Sequence, residues 1–85
     1  MPYIKQDERP QLDHLINALI TKNLTKGQLN YTVTRLLGGY LKAKAESYDT
    51  YNDIIGILEC CKLEFYISKI SKYENLKKKK NGDVQ

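Results

Sequence analysis
Between Ser47 and Lys80 the apolar positions recur at helical spacing, with no proline and one glycine (Gly56) to interrupt them. Tyr51, Ile54, Ile55, Leu58, Cys61 and Phe65 follow the i, i+3, i+4, i+7 pattern of a single stripe. Ile57, Cys60, Leu63, Ile67 and Ile70 fall largely outside it and widen the apolar surface to more than half the helix circumference. The pattern predicts one long helix over residues 49–79. Even about 25 residues of such a helix span roughly 37 Å, more than a small domain covers alone. The expectation is therefore a homo-oligomer: one face of this helix lies on its own chain, and the Tyr51–Ile70 segment also meets another copy.

Two shorter helices are expected before it. Residues 1–9 read as an extended arm anchored only by Tyr3 and Ile4. Pro10 suits a first helical turn, where its missing N–H costs nothing. Leu12, Leu15, Ile16, Leu19 and Ile20 then form an amphipathic stripe, giving a helix over 10–22 with Asp7, Glu8 and Asp13 near its positive end. His14 lies off that stripe and faces solvent by default. After the Asn23-Leu24 turn, Thr25-Lys26-Gly27-Gln28 matches a capping box, with Leu24 and Leu29 at staple spacing. A second helix over 26–43 would turn Leu29, Val33, Leu36, Leu37, Tyr40 and Leu41 inward. Gly38-Gly39 weakens its middle by about 1 kcal/mol per glycine relative to alanine, and the reading favours a continuous helix with a weak point. Ala45–Tyr48 is a loop in which Ser47 or Asp49 can cap the third helix. Asn81-Gly82-Asp83 is a stop signal within a flexible 80–85 tail. The fold class is thus all-α: one domain over 1–85, two antiparallel helices packed on a longer C-terminal helix, and oligomerised.

Composition narrows the classes. Eighty-five residues allow a single small domain with a thin stability margin. Cys60 and Cys61 are adjacent, point about 100° apart on a helix, and read as small buried hydrophobes in a reducing compartment. One histidine and no CxxC pair leave no zinc signature, and no cofactor is implied. The start of the chain lacks a secretory pattern, and no apolar run approaches the roughly 20 residues needed to span a bilayer. A soluble cytoplasmic protein without membrane attachment is expected. The net charge of +4 is mild; Lys77–Lys80 form a block that reads first as a solvated helix end and second as a polyanion contact.

Catalytic signatures are missing: there is no Ser/His/Asp set and no phosphate-binding glycine loop, so the chain reads as a non-enzyme. Asp49 with Asp53 and Glu59 with Glu64 are ordinary surface spacings. Leu29-Asn30-Tyr31-Thr32-Val33-Thr34-Arg35 carries more. On a helix Tyr31 and Arg35 are i, i+4 neighbours, as are Asn30 and Thr34. A phenol face and a guanidinium side by side suit stacking on a base and gripping a phosphate. The bland alternative pairs Arg35 with an acid such as Glu59 and leaves Tyr31 as half-buried packing. The ligand-binding candidates are Asn30, Tyr31, Thr34, Arg35 and Asn52, with Lys62 or Lys69 as a second charge. Seven tyrosines against one phenylalanine and no tryptophan point weakly toward interfaces and ligand pockets.

The segments MPYIKQDERPQLD, LNYTVTRLL, YNDIIGILECCKLEFY and KYENLKKKKNGDV, in that order, resemble a family of small uncharacterised proteins of bacteriophages and their hosts, a domain of unknown function. In that family two arginines follow LEFY. Here Ile67-Ser68 stand instead, so any anion-binding role of those arginines is absent or moved to Lys69 or Lys72. The resemblance implies context rather than mechanism. Phages carry small oligomers that sequester nucleotide signals of host immunity, and by analogy this chain would self-assemble and hold an anionic nucleotide at an interface. The alternatives are nucleic-acid binding through the lysine-rich C-terminal end, disfavoured by the balanced charge elsewhere, and an adaptor that inhibits a host factor.

Overall fold
A computed structural model describes residues 4–82. All regular structure among them is helical, and Tyr31–Thr34, the β-branched stretch of the sequence, lies inside a helix. The chain divides into two compact units, Met1–Lys44 and Ala45–Gln85, each of which is taken by itself.

In the first unit a 3-10 turn, Gln6–Glu8, leads directly into α1, Arg9–Ile20. Part of the expected arm is therefore helical, and residues 1–3 lie outside the described residues. Lys5 is extended and its N–H donates to Glu8 Oε2 at 3.3 Å, which draws the chain into the turn. Pro10 occupies the first turn of α1, where no donor is needed. The helix stops at Ile20 rather than Lys22. Lys22 N–H and Asn23 N–H reach back only three residues, to Leu19 and Ile20, and Asn23 takes φ 53°. Asparagine is one of the few residues besides glycine that visits this left-handed region readily.

Helix α2 spans Lys26–Lys44. Thr25 and Gln28 form the full reciprocal box: Gln28 N–H donates to Thr25 Oγ1 at 3.1 Å, and Thr25 N–H to Gln28 Oε1 at 3.0 Å. The helix runs unbroken through Gly38-Gly39. A methyl group at either position would meet open space, so no neighbouring backbone in this chain explains the pair. Among the described residues no packing contact joins α1 to α2.

The second unit is one continuous rod over residues 48–81: α3, Tyr48–Phe65, a π-helical turn, Tyr66–Ile70, and α4, Ser71–Asn81. Of the two capping candidates Ser47 takes the role. Its Oγ accepts Thr50 N–H at 3.1 Å, while Thr50 Oγ1 donates to the Ala45 carbonyl at 2.9 Å. Thr50 is the buried residue of this small knot. Ala45 holds φ 72°, the left-handed conformation that turns the chain between helices. Tyr51 reaches back to donate its hydroxyl proton to Glu46. At the far end Lys80 and Asn81 are still helical, where a tail was expected, and Gly82 ends the helix with φ 84° and an N–H donated to the Lys78 carbonyl at 2.8 Å. The rod is about 50 Å long.

The largest departure from expectation concerns burial. Among the described residues no hydrophobic side chain is buried. Leu29, Val33 and Leu36, expected to face inward, are exposed, and Leu37, Tyr40 and Leu41 are only partly covered. The stripe of α1 is exposed from Leu12 to Ile20, and Leu58, Leu63, Phe65 and Ile67 stand exposed on the rod. Cys60 and Cys61, expected buried, are exposed free thiols. Periodicity identifies the apolar side of each helix; no second element of its own unit covers that side.

Candidate functional site
Helix α2 is the densest source of ligand-type chemistry. Its sequence contains Lys26, Arg35, Lys42 and Lys44 and no acidic residue, a segment charge of +4. No carboxylate within the helix can neutralise these cations through i, i+4 pairing. The N-terminal end of the helix adds partial positive charge.

Tyr31 and Arg35 meet as their spacing requires. Arg35 Nη1 donates to Tyr31 Oη at 2.8 Å, and its guanidinium carbon stands 5.8 Å from the ring centroid. The acceptor is a phenol oxygen on the same helix. In the second unit Glu59 forms an i, i+3 ion pair with Lys62 at 3.0 Å. One of five guanidinium N–H donors is occupied by the phenol, so four remain, and the Tyr31 hydroxyl keeps its own proton to donate. The ring is 61% exposed and its face can stack.

Asn30 and Thr34 are joined differently from the simple reading of their spacing. Thr34 Oγ1 donates to the Asn30 main-chain carbonyl at 2.9 Å, so its proton is committed to the helix and only its lone pairs face outward. Thr34 in this rotamer is an acceptor and cannot donate to a phosphate. The Asn30 side-chain amide is exposed and retains both donor and acceptor. Thr32 is held like Thr34, by a 2.8 Å bond to the Gln28 carbonyl.

The remaining candidates lie in the second unit. Asn52 is exposed on α3, Lys62 is engaged by Glu59, and Lys69 sits within the π-helical turn. They are spaced along the rod by about 15 and 10 Å of helical rise and form no cluster with each other. Lys72, Asn75, Leu76 and Lys79 line a shallow depression on one side of α4. No sequence signal marked this depression beyond i, i+3, i+4, i+7 spacing. The Glu46–Tyr51 contact was also unforeseen. The hydrogen bond to Glu46 raises the Tyr51 phenol above its usual value, with burial and the nearby negative charge acting in the same direction.

Among the described residues no group of three or more His, Cys, Asp or Glu is placed to hold a metal ion. No helix among them is long and apolar enough to cross a membrane. No curated protein and no solved structure matches the chain. Over residues 1–84 the sequence matches the family described as Domain of unknown function (DUF6899), and the chain belongs to that family.

Proposed function
We propose that this family member is a non-enzymatic binding protein that self-assembles and holds an anionic small ligand, with Tyr31 and Arg35 of α2 as stacking surface and phosphate clamp. The observation that carries the reading is the Arg35–Tyr31 contact at 2.8 Å on a helix without an acidic residue. A guanidinium held in place by a phenol keeps its outward donors pre-oriented, which suits a planar oxyanion such as phosphate. The exposed tyrosine ring beside it suits a base. A nucleotide supplies both, and the Asn30 amide could read a base edge. The Thr34 lone pairs on the same helix offer a further acceptor.

Self-assembly is the second part of the proposal, and exposed apolar surface supports it. A chain of 85 residues with no buried hydrophobic side chain among those described has little to offset the entropy of ordering its helices. Helices of 12 and 19 residues are marginal in water unless an apolar face is covered. A second copy supplies that cover. In its finer form the proposal is sequestration of a nucleotide immune signal in a host cytoplasm, an analogy from the resemblance rather than from the geometry.

The test is equilibrium dialysis against cyclic and linear nucleotides, with Arg35→Ala and Tyr31→Ala beside the unaltered chain. Losing a charge-assisted contact should weaken binding about ten- to a hundredfold. No binding of any nucleotide at about tens of micromolar contradicts the proposal. A second reading, nucleic-acid binding, gains support from one feature: Lys77–Lys80 stand on ordered helix rather than on a tail. It requires affinity for DNA or RNA that falls steeply with salt, and it requires loss of that affinity when the four lysines become glutamines.

A further inference from the structure
The charges of the rod are sorted end to end. α3 carries Asp49, Asp53, Glu59 and Glu64 against Lys62 alone, a net −3; residues 66–81 carry Lys69, Lys72 and Lys77–Lys80 against Glu74 alone, a net +5. The molecule's most apolar surface thus lies on a helix that is acidic at one end and basic at the other. Such a rod is electrostatically complementary to itself in one orientation only. Two copies side by side in parallel place like charges together. Two copies in antiparallel orientation place each acidic half beside a basic half, and their helix dipoles also oppose.

The apolar stretch is compatible with that symmetry. It runs from Tyr51 to Ile70, so its midpoint falls between Cys60 and Cys61, both exposed. At the α-helical angle Ile70 would lie roughly 100° away from the Tyr51 line. The π-helical turn corrects this. Ser71 N–H donates to the Tyr66 carbonyl five residues back, and a turn that holds more than 3.6 residues swings the side chains behind it back toward that line. One continuous apolar side therefore extends across the junction, with Tyr51, Leu58 and Ile70 exposed to similar extents, 41, 38 and 38%.

We infer that two copies of this chain pair antiparallel about a centre between Cys60 and Cys61, so that residues 48–73 of the two rods overlap, the acidic start of each lies toward the basic end of the other, and Lys77–Lys80 extend beyond the overlap. The inference rests on the proposed self-assembly and specifies its orientation and register. The covering surface is a second copy because the complement to the acidic end, the apolar stretch and the basic end is this same sequence reversed.

The orientation is read by pulsed electron–electron resonance on the full chain bearing Cys60→Ala, Cys61→Ala and a spin label at Tyr48→Cys, a position 89% exposed. Antiparallel pairing places the two labels about 25 residues of helix apart, about 37 Å. Parallel pairing brings them within about 10 Å; that result overturns the orientation while leaving self-assembly intact. A helical protein with no dipolar coupling removes both. The alanine changes lie at the proposed centre, so a second test keeps the native thiols. The antiparallel pair brings charges of opposite sign together, so it should loosen as salt is raised from about 0.05 to 0.5 M, whereas a parallel pair should tighten. Tightening with salt contradicts the orientation.

Discussion
Helix α2 and the rod over residues 48–81 distribute charge in opposite ways. α2 has four cations and no acid, so its charge has no complement within its own sequence. The rod contains both signs, separated by length, so its complement is another rod. Side chains follow the same division. On α2 the candidate ligand groups are pre-set by local bonds, Arg35 to Tyr31 and Thr34 to the Asn30 carbonyl. On the rod the local bonds gather at the start, Ser47–Thr50–Ala45 and Tyr51–Glu46, and leave the apolar side uncovered. The lesson is that unneutralised charge of one sign argues for a ligand, and segregated charge beside apolar surface argues for self-association.

The largest effect that can break this contrast is a charge change on the pairing surface set beside one on the ligand side of α2. Leu58→Asp puts a carboxylate at the pairing surface, where an unpartnered buried charge is heavily penalised. It should weaken self-association by on the order of a hundredfold and lower helix content with it. Arg35→Asp, on the side of α2 away from its apolar stripe, should leave association within about a factor of five. Sedimentation of the two variants side by side checks both, and equal losses would erase the distinction between the regions.

Caps sharpen the contrast at a smaller scale. Ser47→Ala removes the acceptor for Thr50 N–H in a partly buried knot and should cost about 1–2 kcal/mol; Thr25→Ala, in an exposed box, should cost about 0.5–1 kcal/mol. Urea unfolding midpoints rank them, and a larger loss at Thr25 would reverse the expected order.

The smallest effect is a titration. The Tyr51 phenol is raised by its hydrogen bond to Glu46, so the neutral form is the one the folded chain favours. The contact is therefore fully present below about pH 10, where a free phenol ionises, and is lost as pH rises through the raised value. In absorbance at 295 nm, Glu46→Gln should move the ionisation of Tyr51 to lower pH. An unchanged titration curve would mean that the pair does not persist in solution.

What the sequence made legible was local. The Thr25–Gln28 box, the Ser47 cap and the Tyr31–Arg35 contact each depend on residues three or four apart, so their geometry follows once the helix is granted. Thr34 shows what spacing omits: its hydroxyl donates to an acceptor inside the helix, four residues back, which leaves its lone pairs outward. The π-helical turn had a trace, the apolar line slipping out of step at Ile70, but periodicity reads that as a broader stripe. Burial was not legible at all. Leu29, Leu36, Cys60 and Cys61 are on the apolar sides their spacing indicates, yet a pattern names the side to be covered and not the molecule that covers it.

The central claim is that this chain does not stand alone, and sedimentation velocity on the unaltered protein tests it most directly. At about 1 µM the account predicts a species of at least twice the chain mass, with helix signal and association lost together on further dilution. A folded, cooperatively unfolding monomer of 9.9 kDa under those conditions would contradict it.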